Sequence, residues 1–147
     1  MQVKKRGKVI IIIIIIVAIV ALILWLYINK PNTDYSNLKP DAAFSYNTLL
    51  KEASVNDTGI FKKYAHMLIA VTGFVKEIKK DSLGIVLQVG DTNSLSSIVC
   101  QMDTRYSKDY NTIKKGQLIN LKGKITGCSN DKLLGATVEM NFCVLQK

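Results

Sequence analysis

The sequence predicts a mainly β fold: a five-stranded barrel with a helix at its N-terminal end and a short helix between strands three and four, all preceded by one transmembrane helix. Three observations predict it. Residues 9–28, VIIIIIIIVAIVALILWLYI, run for twenty positions without a charge. From residue 67 onward apolar side chains alternate with period two in five separate segments. Glycines stand inside the first and fourth of these, Gly73 and Gly123, as the coiled strands of a small barrel require.

At about 1.5 Å per residue, twenty helical residues cross the roughly 30 Å hydrocarbon core of a bilayer. Lys4, Lys5, Arg6 and Lys8 precede the run, so the basic tail of residues 1–8 is expected to stay in the cytoplasm and the rest to lie outside it. Trp25 and Tyr27 suit the far interface. A cleaved signal peptide fits less well, because its apolar region is usually shorter and ends in small residues. A lipoprotein signal needs a cysteine just behind the run, and the first cysteine is Cys100. The membrane is thus an expected partner through residues 9–28. The run carries no small-xxx-small face that favours dimerisation.

The remaining 117 or so residues suffice for one domain and not for two. The chain holds 20 basic and 11 acidic residues, net +9, but five of the basic ones flank the apolar run. Beyond it the domain is near +4, too mild an excess to argue for nucleic acid on charge alone.

Residues 29–39, NKPNTDYSNLK, are polar and aperiodic and read as a linker. Pro40 and Asp41 suit a helix opening, and Ala43, Tyr46, Leu50 and Ala53 recur at helical spacing, which predicts a first helix over 40–54. Asn56, Asp57 and Thr58 cap a second short turn through Tyr64. The strands are expected within residues 67–78, at 84–90, at 96–102, at 117–126 and at 136–146, the last with Val138, Met140, Phe142 and Val144 on one side. Turns fall at 79–82, 91–94 and 127–132. Tyr106 and Tyr110, at i and i+4, mark a short helix within 103–115. Strand, strand, strand, helix, strand, strand is the element order of the OB-fold, here assigned to residues 40–147.

The residues also carry a family resemblance. YAHMLIAVTGFVKEI, SSIVCQM, KKGQLINLKGKITG and VEMNFCVL resemble the bacterial tRNA anticodon-binding-like OB-fold family, whose members are small and often membrane-anchored or lipoproteins. The likeness rests on VTG-x-V at 71–75, the strand around Cys100, KGxxxxxKGK at 115–124 and the N-x-C of Asn141 and Cys143. Phe142 between those two residues departs from the family's usual adjacent pair, and the missing lipobox is a second departure. The resemblance implies nucleic-acid binding.

The residues themselves support other ligands equally. A single-strand groove usually offers aromatic platforms among basic residues, whereas Phe74, Tyr106, Tyr110 and Phe142 each suit packing. The lysine pairs Lys62–Lys63, Lys79–Lys80 and Lys114–Lys115 stand at element ends, where charges are ordinarily solvated. With one histidine, His66, and no nucleophile elbow, phosphate loop or paired carboxylate motif, no enzymatic activity is expected, and neither is a cofactor. Cys100, Cys128 and Cys143 have no metal-ligand spacing, so no metal is expected either. Cys100 with Cys143 is the candidate disulfide on an extracytoplasmic domain, set against three small buried hydrophobes.

The sequence therefore favours a single-pass, membrane-anchored OB-fold binding module in the cell membrane. Its domain is expected outside the cytoplasm, recognising an unidentified protein or envelope polymer. Nucleic-acid binding and a structural place in an envelope assembly are the alternatives. The candidate binding residues are Gln88 and Gln101 on strands two and three, with Lys79, Lys80, Tyr106, Tyr110, Lys114 and Lys115 at the edges.

Overall fold

The computed structural model describes residues 3–29, 33–82 and 84–146; residues 1–2 of the expected basic tail and 30–32 of the expected linker lie outside them. The chain divides into two compact units, Met1–Thr33 and Asp34–Lys147. In the first, α1 (Val3–Ile28) is one α-helix that includes Lys4, Lys5, Arg6 and Lys8. Among the described residues no helix is long and apolar enough to cross a membrane, which corrects the transmembrane helix expected at 9–28.

The second unit holds β1 (Ala42–Ser45), α2 (Tyr46–Val55), α3 (Asp57–Tyr64), β2 (Leu68–Asp81), β3 (Gly84–Val89), β4 (Ser97–Met102), a 3-10 turn (Thr104–Tyr106), α4 (Ser107–Tyr110), β5 (Leu118–Asp131) and β6 (Gly135–Leu145). The expected five-stranded barrel is thus corrected to one six-stranded mixed sheet in the order β1-β2-β3-β4-β6-β5. A further antiparallel pairing of β2 with β5 returns the ladder from the sixth position to the second. Two pairings are parallel, β1 with β2 and β4 with β6.

The sixth strand comes out of the helix expected at 40–54. Ser45 is extended (φ −75°, ψ 152°), and its hydroxyl accepts from the Thr48 backbone N–H, so the helix starts only at Tyr46. Upstream, the Asp41 N–H donates to the Leu68 carbonyl at 2.8 Å and the Leu68 N–H to Asp41 Oδ2 at 2.7 Å. That clamp lays 42–45 along 69–72 of β2. Leu49, Leu50 and Ala53 of α2 still face the core, as their helical spacing demands.

β2 and β5 each run 14 residues, through positions read as turns. Lys79, Lys80 and Asp81 remain in strand, as do Gly127 to Asp131, so both hairpins are tighter than expected. Bulges interrupt β2 between Val75 and Glu77, and β5 between Lys122 and Lys124 and again between Ile125 and Gly127. Gly123 sits at one of them, where a β-carbon would lie 2.6 Å from Cys143 Sγ. The core includes Leu49, Ile69, Val71, Leu87, Ile98, Leu121, Ile125 and Met140, all nearly inaccessible to solvent.

Candidate functional site

The side chains of β3, and those of β4 from Ile98 on, alternate between buried and half-buried, so Val86 and Gln88 face outward opposite Gln101 and Val99. β2 adds Lys79 opposite Val86 and Glu77 opposite Gln88, while β6 adds Glu139 opposite Val99. Gln88 and Gln101, both half-buried, therefore share this face with Lys79. Two carboxylates stand beside them, and Lys79 Nζ lies 3.5 Å from Glu77 in a pair too exposed to fix either side chain. No aromatic ring stands at these positions, but further along β2 Phe74 is exposed, its ring 6.4 Å from that of Tyr46. Lys80, exposed, donates to Asn111 Oδ1 at 3.3 Å and so ties the β2–β3 hairpin to the connection after α4. Lys114 and Lys115 follow in that connection, exposed.

The tyrosines lie elsewhere. Tyr110 is buried and donates to the Cys143 carbonyl at 3.2 Å; desolvation pushes its pKa well above the ordinary range. Tyr106 donates to Asp34 Oδ2 at 2.6 Å and lies 2.9 Å from Ser36 Oγ. The Tyr106 bond first, then hydrogen bonds from Ser36, whose backbone N–H donates to Asp34 Oδ1 at 2.9 Å, hold the Asp34 carboxyl down at about 2. Arg105 forms a forked pair with the buried Asp103, which lowers the Asp103 pKa despite the opposing cost of burial.

Tyr106 belongs to a device that the sequence reading does not contain. Residues 34–39 of the expected linker form a strap laid on the outer face of β5 and β6. Lys122, only 5% exposed, donates from Nζ to the carbonyls of Ser36 at 2.8 Å and Leu38 at 2.7 Å. The Tyr35 ring sits 6.1 Å from that of Phe142, with Lys124 Nζ 5.6 Å from its centre. Lys122 reads in sequence as the solvated position of an alternating strand, since its cover comes from residues more than eighty positions upstream. Below the strap a cavity of about 530 Å³ opens between α4, β5 and β6.

Cys100 and Cys143 are free thiols, both buried. Burial first, then the hydrogen bond with Cys100, raises the Cys143 pKa. Cys128, half-buried in β5 rather than in a turn, is pushed up to about 11 by desolvation. His66 is exposed. Among the described residues no group of three or more His, Cys, Asp or Glu could hold a metal ion.

A mixed sheet whose ladder returns to its second strand, with a helical connection between β4 and β5, is the arrangement of an OB-fold domain. The chain belongs to the tRNA_anti-like family, which it matches over residues 1–136. Among solved structures it is similar to a putative nucleic acid-binding lipoprotein from Klebsiella pneumoniae, with TM-score 0.58 and 12% identity over 71% of this chain and 92% of that one. Fainter likenesses join it to the Stn1–Ten1 complex of S. pombe (TM-score 0.35, 19% identity, 54% and 58% covered) and to an OBody, NL8, bound to hen egg-white lysozyme (0.39, 12%, 54% and 94%). No curated protein matches it in sequence.

Proposed function

We propose that the domain binds single-stranded nucleic acid across β2, β3 and β4, without catalysis. Membership in the tRNA_anti-like family carries this reading, and the lipoprotein of similar fold, itself described as nucleic acid-binding, supports it. A protein or envelope polymer, the ligand first expected from the sequence, has no comparable support. Gln88 and Gln101 can hydrogen-bond bases of any identity, and Lys79, Lys80, Lys114 and Lys115 can follow the phosphates on either side. Phe74, 45% exposed on β2, is a ring on which a base can stack; the lysines supply most of the remaining affinity, so binding is tolerant of sequence and sensitive to salt.

The test is fluorescence anisotropy of a labelled oligonucleotide against the full chain over a salt series. Four phosphate contacts give a slope of log affinity on log salt of about −3, at roughly −0.7 per contact for a single strand. In the double variant Lys79→Ala, Lys80→Ala the slope should shallow by about 1.4. Affinity that ignores salt, or no binding at low salt, overturns the reading.

A further inference from the structure

The cavity beneath the strap is polar where it should be satisfied and is not. An ammonium carries three donors; among the described residues two of those on Lys122 go to the Ser36 and Leu38 carbonyls, and no carboxylate lies within ion-pair distance. Buried cations are ordinarily paired. Gln146, which lines this cavity and the neighbouring one beside Asn120, has its Oε1 buried with no hydrogen-bond partner among the described residues, a rare condition for an acceptor in a folded protein.

Register brings the two together. Lys122 stands opposite Val144, and the Gln146 N–H donates to the Asn120 carbonyl at 2.8 Å. Residues 144 and 146 point to one face, which makes Lys122 and Gln146 diagonal neighbours, about 7–8 Å apart at the backbone and within reach of a common guest. Leu38, Pro40, Tyr106 and Val144 supply apolar wall. The volume, about 530 Å³, lies in the roughly 300–1,000 Å³ range of ligand sites.

One unspent donor beside one unspent acceptor calls for a planar group that presents an acceptor and a donor side by side. Asp109 lines the same cavity and offsets the pull of Lys122 on an anion, so a neutral edge suits the floor and a phosphate stays outside, toward the exposed Lys39. An ammonium already bound by two carbonyls is best completed by a third carbonyl oxygen. We propose that the cavity takes the edge of one keto-bearing nucleobase, guanine or uracil. Lys122 Nζ donates to the carbonyl oxygen, and Gln146 Oε1 accepts from the neighbouring ring N–H. This site rests on the nucleic-acid reading and extends it to the face opposite the glutamines.

The experiment is titration of the isotope-labelled full chain with GMP, UMP and inorganic phosphate, following the side-chain amide signals of Gln146. GMP or UMP should shift them saturably and phosphate should not. An equal response to phosphate, or none to either nucleotide, overturns the proposal. Alongside, Gln146→Leu should weaken oligonucleotide binding about tenfold, the worth of a lost base-edge contact, at an unchanged salt slope; unaltered affinity also overturns it. The two readings fail separately. Salt-dependent strand binding with an unmoved Gln146 sinks the cavity alone, whereas nucleotide saturation at Gln146 in a chain that binds no oligonucleotide sinks the strand reading alone.

Discussion

Phe142 has φ +55°, a left-handed conformation that costs a non-glycine residue roughly 1–2 kcal/mol. It breaks the alternation of β6 three residues before the strand ends at Leu145. Val138 and Met140 face the core as their spacing predicts, but Phe142 turns outward onto Tyr35 and Cys143 takes the inward place, fully buried. The Asn-Phe-Cys departure from the family pattern is this bulge, and no period-two argument could have placed it. Its counterpart across the ladder is Gly123, where a β-carbon meets Cys143 Sγ at 2.6 Å and the Asn141 carbonyl oxygen at 3.0 Å. One contact is backbone and the other a fully buried side chain, so neither can yield cheaply. Gly123→Ala should therefore destabilise the domain by about 1–3 kcal/mol, the usual cost of overpacking. Denaturant unfolding checks it, and an unmoved midpoint refutes the close approach.

The five segments with alternating residues all became strands, because period two is local and each segment has one face in the core. β1 was not legible for the opposite reason. Ala42–Ser45 is short and alanine-rich, continuous with a good helical pattern, and becomes strand only through a parallel partner 27 residues downstream. The strap is illegible in the same way: residues 34–39 look like a linker until Lys122 and Tyr106 supply their partners. Of the candidate binding residues, Lys79, Gln88 and Gln101 meet on one face because strand parity fixes that, while Tyr110 is core and Tyr106 is an anchor. Tyr106→Phe tests the anchor. Without the hydroxyl, Asp34 loses the main influence that holds it near 2 and should titrate closer to the ordinary carboxylate value of 3.8. A carboxyl depressed in the folded state contributes stability above its unfolded pKa and loses it as the pH falls through the folded one. The stability of the wild type should accordingly fall between about pH 4 and pH 2 by a step that the variant lacks in part. The Asp34 carboxyl shift followed by NMR reads this directly, and an Asp34 that still titrates near 2 in the variant would show that Tyr106 does not hold it.

Across the whole domain the ladder β2–β3–β4–β6–β5 returns to β2, so β2 is where the sheet is joined. Its first half is paired twice, residues 69–72 lying between β1 on one edge and β5 on the other, and its second half pairs with β3. The chain order of the five strands β2 to β6 was readable from sequence, and the sixth strand, β1, was not. The return was not, because β2 and β5 are separated by the whole hairpin and helical connection, and spacing carries no trace of their register. Opening the sheet at residues 69–72 means breaking two ladders over buried side chains, with Ile69 and Val71 fully excluded from water. Those amides should exchange with solvent only through global unfolding, among the slowest in the chain. Residues 34–38 are held by side chains and a single internal backbone bond, and the β5–β6 turn at 132–134 is exposed. Amides in both should exchange orders of magnitude faster, by local opening. Hydrogen exchange on the native protein distinguishes the cases: protection in 69–72 equal to the global unfolding free energy supports the doubly paired junction, and exchange there as fast as in the strap means that β1 is not held against β2 in solution.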